Sequence, residues 1–577
     1  MKKILTLIIV LSGIYAQNDF NEGPYGSEYF DIAGPFGLID LNFQIGDVNS
    51  DNTINILDII ATVNYVLDSV DFTSSQISQV DMNFDGVVNI LDIVLLADMV
   101  LNSGDSIWNF QAQWNGNESF IFITLGPSSS TTLWNASDID DLLENSPNNV
   151  HYFFISNNTS FFQDIRDKKG EIDLTLSEMS EEQQLHWSKY LHFIPNKCDS
   201  HSLDFVNAVC DVRAIGIDRF QRWKEIGYLG NPATFSGTYI SYLAHEATYY
   251  NYEYNTIFEP ELDYTEIMVF DREYYTGGWA ASISQLIELP SNEELDNFTG
   301  MSVELLRGCP DANMNYSDAG CDDYDRLAHM YICEEDGSGC YEISRWVTPF
   351  DRQPHSLTDI SPFISFLRPG GLKMIKFQEL GWPNSLLTLK IRLYNDDVLP
   401  DTSPKEFIPA WNGTAQFNPD YDANRPLVVF SVPQDAAKVE FVSYITGHGW
   451  GSAGCYNCAE FCNSRHNFTV NGGTGIFSKS HPSASDNNFC MELETIVQGV
   501  VPNQYGTWGY GRAGWCPGMD VSPYIVDITD YIDFGQENVI DYGACRVVGN
   551  NCVSPPMCQG DGYCPEIAMS SYLIISY

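Results

Sequence analysis

Residues 47–58 read DVNSDNTINILD, and the pattern returns 34 positions later, at residues 81–92, as DMNFDGVVNILD. An internal repeat restricts a fold tightly, because each copy must close the same local structure. Each copy sets oxygen-bearing side chains at loop positions 1, 3, 5, 9 and 12. These are Asp47, Asn49, Asp51, Asn55 and Asp58, then Asp81, Asn83, Asp85, Asn89 and Asp92. Such a set suits the hard Ca²⁺ ion, with the position-7 backbone carbonyl of Thr53 or Val87 completing the shell. Position 6 is Gly86 in the second copy and Asn52 in the first, and Asn tolerates positive φ better than most residues. Apolar stretches follow, Ile59 to Leu67 and Ile93 to Leu101.

A short Asp at position 12, where an EF-hand carries Glu, resembles the type I dockerin module. The resemblance covers residues 46–103. It implies structural Ca²⁺ and a cohesin-like partner.

The chain of 577 residues exceeds one core, and about 100–200 residues per domain predicts three to five domains. A net charge of −49 opposes phosphate binding and excludes a nucleic-acid partner. Fifteen cysteines imply an oxidising compartment, and the odd count leaves at least one outside intrachain pairs. Lys2 and Lys3, the apolar run Ile4 to Leu11, and Ala16 read as a signal peptide over residues 1–16. That run is shorter than the roughly 20 residues a membrane span needs, and no later segment qualifies. The expected location is outside the cytoplasm: extracellular, cell-surface-associated or periplasmic.

A leader, residues 17–45, precedes the repeat, and residues 104–262 follow it. Ser119 to Leu125 and Val150 to Ser156 read as buried strands, and Ser180-Glu-Glu-Gln183 opens an amphipathic helix with a capping box. The alternation predicts a small α/β accessory domain of thioredoxin-like texture. Cys198 and Cys210 form no CxxC pair, and His151, His186, His192, His201 and His245 lack metal-ligand spacing. GPFGLIDLN (34–42) resembles a redoxin leading strand, which would make the calcium module an insertion into this domain.

From residue 263 the texture becomes short alternating strands with dense cysteines. Leu387, Leu389, Ile391 and Leu393 alternate with Thr388, Lys390 and Arg392, as in a half-buried strand. This is the texture of a β-sandwich or jelly roll stapled by disulfides. Three groups of residues carry chemistry. CDDYDR (321–326) gathers three carboxylates and an arginine; if extended, it places Asp323 and Asp325 on one face. Glu379 shares a strand face with Ile375 and Phe377. CAEFC (458–462) sets Glu460 at the apex of a possible five-residue disulfide ring. Fixed acids with a nearby arginine are what acid–base hydrolysis requires.

From about residue 264 onward the chain resembles the peptide-N-glycosidase F family of glycoamidases. The resemblance rests on GCP…CDDYDR (308–326), RWVTPF (345–350), TGHGWG…CAEFC…H (446–466), PNQYGTWGYGRAGWCPG (502–518) and AMSSYLIISY (568–577). It implies an all-β region of two adjacent eight-stranded jelly rolls, residues 263–400 and 401–577, with substrate in the cleft between them. The family's three acids fall on Asp325, Glu460 and Glu379. Tyr324, Arg326, Phe461, Arg512 and Trp515 fall on substrate-binding positions, and His448 and Trp450 lie in a segment whose His and Trp order varies. Implied disulfides are Cys309–Cys321, Cys458–Cys462 and Cys490–Cys516; proximity suggests Cys333–Cys340. The tail cysteines Cys545, Cys552, Cys558 and Cys564 read as a disulfide-bonded loop that says nothing of activity.

The implied reaction hydrolyses the amide between Asn and the innermost N-acetylglucosamine of an N-glycoprotein or glycopeptide, with no catalytic cofactor. Two nearby acids cannot both ionise freely, so one is expected to titrate high. The main rival is a non-catalytic N-glycan-binding protein on the same fold, tethered through the dockerin-like module. A copper monooxygenase would need histidine clusters that are missing here. A thiol redox motif at CYNC (455–458) competes with the ring around Glu460.

Overall fold

The computed structural model describes residues 19–42, 46–49, 54–67, 69–80, 87–102, 107–126, 131–258, 263–310, 320–395, 402–449, 455, 457–558 and 563–577. The expected signal peptide lies outside them. Among the described residues, no helix is long and apolar enough to cross a membrane. The chain divides into two compact units: residues 1–135 with 147–224, and residues 136–146 with 225–577. The segment expected as one accessory domain, 104–262, is therefore split between them.

In the first unit, strand β1 (Gly37–Ile39) pairs antiparallel with β2 (Ile107–Asn109). The dockerin-like repeat lies between these partners, so it is an insertion that leaves and returns through one ladder. Its described helices include α1 (Ile56–Val66) and α2 (Ile90–Asn102), with a short helix at Ser74–Val80 between them. Asn55 caps α1 through a capping box with Asp58. The main sheet contains β3 (Ser119–Leu125), β4 (Val150–Ser156), β5 (Leu191–Lys197), β6 (Ala214–Ile217) and β7 (Trp223–Glu225), in the order β5-β4-β3-β6-β7. β3, β4 and β5 run parallel, and β6 is antiparallel to β3. Parallel neighbours need crossover connections. Helix α3 (Phe161–Ser177) and helix α4 (Glu181–Tyr190) supply one between β4 and β5. β3 and β4 are buried along their whole length, which is why they read as unbroken apolar runs. The histidines here serve packing: His192 Nδ1 meets Asp40 at 2.6 Å, and its Nε2 meets His151 Nδ1 at 2.9 Å. That contact ties the chain just after β1 to β5.

The second unit is built from two similar halves. The first contains β8 (Tyr264–Tyr275), β9 (Gly278–Leu289), β10 (Gly300–Gly308), β11 (Leu327–Cys333), β12 (Tyr341–Val347), β13 (His355–Asp359), β14 (Gly371–Gly381) and β15 (Ser385–Tyr394). They form two four-stranded sheets, β13-β10-β15-β8 and β12-β11-β14-β9. The second half contains β16 (Pro404–Gln416), β17 (Val428–Ser431), β18 (Lys438–His448), β19 (Ser464–Val470), β20 (Gly475–Ser480), β21 (Tyr524–Asp527), β22 (Glu537–Val548), β23 (Asn551–Val553) and β24 (Glu566–Ser576). Its sheets run β16-β24-β18-β21 and β17-β22-β19-β20, with β23 an addition to β22. Counted within each half, both give the same pair of orders, 1-8-3-6 and 2-7-4-5. The first half's core reaches into the second: Val442, Tyr444 and Tyr572 pack with Ile343, Phe363 and Phe366. Such a shared core holds the facing edges of the two halves in register.

Six disulfides close local loops: Cys198–Cys210, Cys309–Cys321, Cys333–Cys340, Cys458–Cys462, Cys490–Cys516 and Cys545–Cys552. The three pairs implied by resemblance and the pair suggested by proximity are among them. Cys545–Cys552 is one bridge within the tail loop expected to be disulfide-bonded.

Candidate active site

The residues ahead of β11 bend rather than extend, against the expectation for CDDYDR. Asp322 causes the bend. It is buried and turns back on the chain, accepting from Tyr324 N at 3.1 Å, Arg326 Nε at 2.9 Å and Arg326 Nη2 at 3.2 Å. Arg326 N donates to Thr348 Oγ1 at 2.8 Å. This knot leaves Asp323 and Tyr324 exposed and sets Asp325 in the wall of a cleft.

Glu460 enters the same cleft from the other half. The Cys458–Cys462 bridge closes its loop. Ala513 N donates to Glu460 O at 2.9 Å, and Gly447 N donates to Ala513 O at 3.0 Å. Position 447 must be glycine, because a Cβ there would sit 1.8 Å from Ala459 O. The Glu460 carboxylate accepts from Gly449 N at 2.7 Å and from Arg512 Nε at 3.3 Å.

Arg512 stands between the two acids. Its Nη2 lies 3.3 Å from Asp325 Oδ2, while its Nε holds Glu460. Nη1 donates to Tyr510 O at 2.7 Å, and Nη2 to Thr507 O at 3.2 Å. The guanidinium is buried over the rings of Phe461 (5.2 Å) and Trp515 (4.9 Å). Asp325 Oδ2 is buried, and among the described residues it meets the Arg512 guanidinium as an ion pair rather than through a hydrogen bond of good geometry.

Electrostatics follow from this crowding. Burial and the neighbouring Asp325 charge push the Glu460 carboxyl up to about 7, against the pull of Arg512. Burial also raises Asp325, opposed by Arg512 and Arg326. The two carboxyls share one cation, so a proton is retained between them near neutrality. That is the high titration expected for one of the acids.

The cleft encloses about 280 Å³. Tyr324, Asp325, Arg326, His448, Glu460 and Trp515 line it. Phe461 instead packs behind, against Arg512 and Tyr510. Trp450 lies outside the described residues. Glu379 does not line the cleft, although Leu380 beside it does. It is buried, as strand alternation predicts, in a two-pronged pair with Arg307 at 2.7 and 3.0 Å. It is linked to the site only through its surroundings: a Cβ on Gly381 would approach both Glu379 Oε1 (3.0 Å) and Asp322 Oδ2 (3.2 Å). Sequence reasoning missed Trp279, Thr414, Tyr563 and Glu566 in the cleft wall. The tail loop, read as silent, thus contributes Tyr563. The signal was present for Trp279 alone, a tryptophan directly after two glycines and 59% exposed.

In the dockerin-like loops, Asp51, Thr53, Asp81, Asn83 and Asp85 lie outside the described residues. Of the others, Asp47, Asp58 and Asp92 are buried. Asp58 gathers the loop by accepting from Val48 N, Asn49 N and Asn55 N at 2.9, 3.2 and 2.9 Å. Asp92 accepts from Asn89 N at 2.8 Å. Asn49, Asn55, Val87 and Asn89 flank them. Buried carboxylates in loops rich in amide side chains suit a hard cation, which would offset the cost of burying their charge, although among the described residues no three acidic, His or Cys side chains converge on one point.

Residues 416–574 match the family model for the C-terminal part of peptide-N-glycosidase F, and residues 45–101 match the dockerin type I domain. The peptide-N(4)-(N-acetyl-beta-D-glucosaminyl)asparagine amidase F of Elizabethkingia miricola is 28% identical over 229 residues, 36% of this chain and 59% of that protein. The chain therefore spans less than two thirds of this relative's length. Among solved structures, PNGase F, a glycosylasparaginase from Flavobacterium meningosepticum, is 19% identical with a TM-score of 0.41, covering 54% of this chain and 96% of that one. PNGF-II is 14% identical with a TM-score of 0.39, covering 54% of this chain and 64% of that one. The family likeness of this chain therefore lies in residues 416–574, to the C-terminal part of peptide-N-glycosidase F, and in residues 45–101, to the dockerin type I domain.

Proposed function

We propose that the chain is a secreted glycoamidase that cleaves the amide between Asn and the innermost N-acetylglucosamine of N-linked glycans. The observation that carries this reading is the pair of carboxyls, Asp325 and Glu460, held on one buried arginine in the wall of a cleft. In the reaction, water adds to the Asn side-chain carbonyl carbon and the carbon–nitrogen bond breaks. The nitrogen leaves as a glycosylamine after gaining a proton, and Asn becomes Asp. Asp325 takes a proton from the attacking water and returns it to the leaving nitrogen, and Glu460 tunes Asp325 by holding the one proton that the pair retains. Arg512 keeps both acids in place and balances their charge. Tyr324, Arg326 and Trp515 offer ring faces and donors to sugar. Glu379 acts at one remove, through Arg307 and the Asp322–Arg326 knot. The repeated strand orders support reading each half as a jelly roll.

The assay is gel mobility of an N-glycosylated protein after incubation with the full chain. Faster migration is expected. Unchanged migration with several glycan types, together with retention on a glycan column, would favour the binding-protein reading instead.

The raised Glu460 carboxyl has a stability consequence with a definite sign. Between an ordinary glutamate's pKa and about 7, the folded state holds a proton that the unfolded state has released. This contribution to stability is therefore complete at low pH and is lost as pH rises through about 7. Urea melts across that window are expected to show the loss, and Glu460→Gln to flatten it. A slope unchanged in the variant would remove Glu460 as its source.

The dockerin type I domain is proposed to bind Ca²⁺ through its two loops and to dock a cohesin-like partner. Ca²⁺ at about 1,000 times its Kd would stabilise the module by about 4 kcal/mol. Chelation is expected to open residues 46–103 to limited proteolysis while the rest of the chain stays resistant. Equal resistance with and without chelator would count against the loops as metal sites.

A further inference from the structure

A buried chain of polar groups runs from β12 to the cleft, and the proton transfers above leave it unused. Arg345 Nε and Nη2 donate to the two carboxylate oxygens of Glu342, at 2.7 and 2.8 Å. The same carboxylate meets His329 Nδ1 at 2.6 Å and accepts from the Ser570 hydroxyl. Burial alone would raise Glu342, but Arg345 and His329 hold it well below the ordinary carboxylate range. The remaining guanidinium nitrogen, Nη1, donates to Ala568 O and to Thr446 Oγ1, both at 2.8 Å. Thr446 Oγ1 is in turn 2.8 Å from His448 Nε2. Thr446 and His448 are two apart on β18, so they share a strand face.

Counting hydrogens along this chain fixes the histidine. A guanidinium only donates, so Thr446 accepts from Arg345. Thr446 is fully buried, and among the described residues its own hydroxyl hydrogen meets one acceptor, His448 Nε2. If Nε2 carried the ring hydrogen, the hydroxyl hydrogen would be buried without a partner. The arrangement that satisfies every group leaves Nε2 bare and places the hydrogen on Nδ1. Burial, with the Arg345, His329 and Arg512 charges, pushes the His448 pKa down to about 3, so the ring is neutral near pH 7. It is also held in plane, stacked on Trp515 at 5.3 Å, while Trp515 Nε1 donates to Gly447 O at 2.8 Å. No described residue accepts from Nδ1, and His448 lines the cleft with Asp325 and Glu460.

We propose that His448 donates a hydrogen bond from Nδ1 to an amide carbonyl oxygen of the substrate, with Thr446 and Arg345 as positioning residues that lock its tautomer. The identity of the substrate rests on the glycoamidase reading; the tautomer does not. An N-glycopeptide offers that oxygen in two places, the scissile Asn side chain and the N-acetyl group of the first sugar. A neutral imidazole can polarise either without giving up its proton.

The test uses the full chain labelled with ¹⁵N-histidine, with the His448 signals assigned by their loss in His448→Phe. At pH 7 the expected pattern is a protonated Nδ1 and a bare Nε2. Thr446→Val, which keeps shape but removes the hydroxyl, is expected to convert this to a mixture of tautomers without unfolding the protein. In glycopeptide turnover, His448→Phe is expected to lower kcat/KM roughly 10- to 100-fold, and His448→Asn, whose N–H stands near the place of Nδ1–H, to recover part of the loss. Titration with N,N′-diacetylchitobiose separates the two oxygens. Weaker binding in His448→Phe assigns the N-acetyl group; unchanged binding with lowered kcat assigns the scissile amide. A wild-type ring protonated on Nε2 or on both nitrogens overturns the proposal. So does a His448→Phe variant equal to wild type in both turnover and chitobiose binding. A wild-type chain that shows the Nδ1 tautomer and binds chitobiose through His448 but turns over nothing would support the donor and sink the glycoamidase reading.

Discussion

Asp325→Asn is expected to reduce glycopeptide turnover by about three orders of magnitude or more, within the range that a general acid–base group supplies. The substitution is nearly isosteric, and the contact it alters directly is the 3.3 Å ion pair between Asp325 Oδ2 and Arg512 Nη2. What disappears is the ability to take and return a proton, together with one of the two negative charges on Arg512. Because the Asp325 charge helps to raise Glu460, the variant's Glu460 is expected to titrate below the wild-type value of about 7. Thermal stability is expected to hold or rise, since a poorly solvated carboxylate has been removed. Residual activity above a tenth of wild type would take Asp325 out of the chemistry. An inactive variant with a collapsed melting transition would show only that the residue is needed for folding.

Arg512→Met carries the second large effect, and here stability and activity are lost together. The methionine can fill space over Phe461 and Trp515, but it leaves Asp325 and Glu460 without a counter-charge. Removing one partner of a buried ion pair costs about 3–5 kcal/mol. The carbonyls of Tyr510 and Thr507 lose their donors as well. Glu460 is expected to titrate higher than in the wild type, so more of the pair is protonated near neutrality. Arg512→Lys is expected to rescue little, because a single ammonium cannot hold Glu460, Tyr510 O and Thr507 at once while stacking on two rings. Denaturant melts and turnover, measured on the same preparations, check both parts. A fully stable, active Arg512→Lys would mean that the fork geometry is unimportant.

Much of the local structure was legible in the sequence because its causes are local. The 34-residue period fixed the calcium-loop reading, and alternation in 387–393 and 375–379 set the inward faces of β15 and β14. The CAEFC spacing pointed to a ring under Glu460. What stayed hidden depends on partners far away in the chain. Glu379 was read as a carboxylate among apolar neighbours, and the cation that faces it, Arg307, is 72 residues distant. CDDYDR was read as extended because nothing in six residues shows that Asp322 will turn back on Arg326. Thr446 and Arg345 are 101 residues apart, so the lock on His448 has no sequence signature. The tail's part in the cleft was missed for the same reason: Tyr563 reaches the site only because β24 lies between β16 and β18.

The central claim concerns one bond, and the product reports which bond was cut. A defined N-glycopeptide incubated with the full chain in H₂¹⁸O, with Ca²⁺ present, can be read directly by mass spectrometry. Loss of the entire glycan, with one ¹⁸O incorporated as Asn becomes Asp, is the expected result. A peptide that keeps one N-acetylglucosamine would place the cut between sugars and contradict the account, as would a glycopeptide left intact across several glycan types.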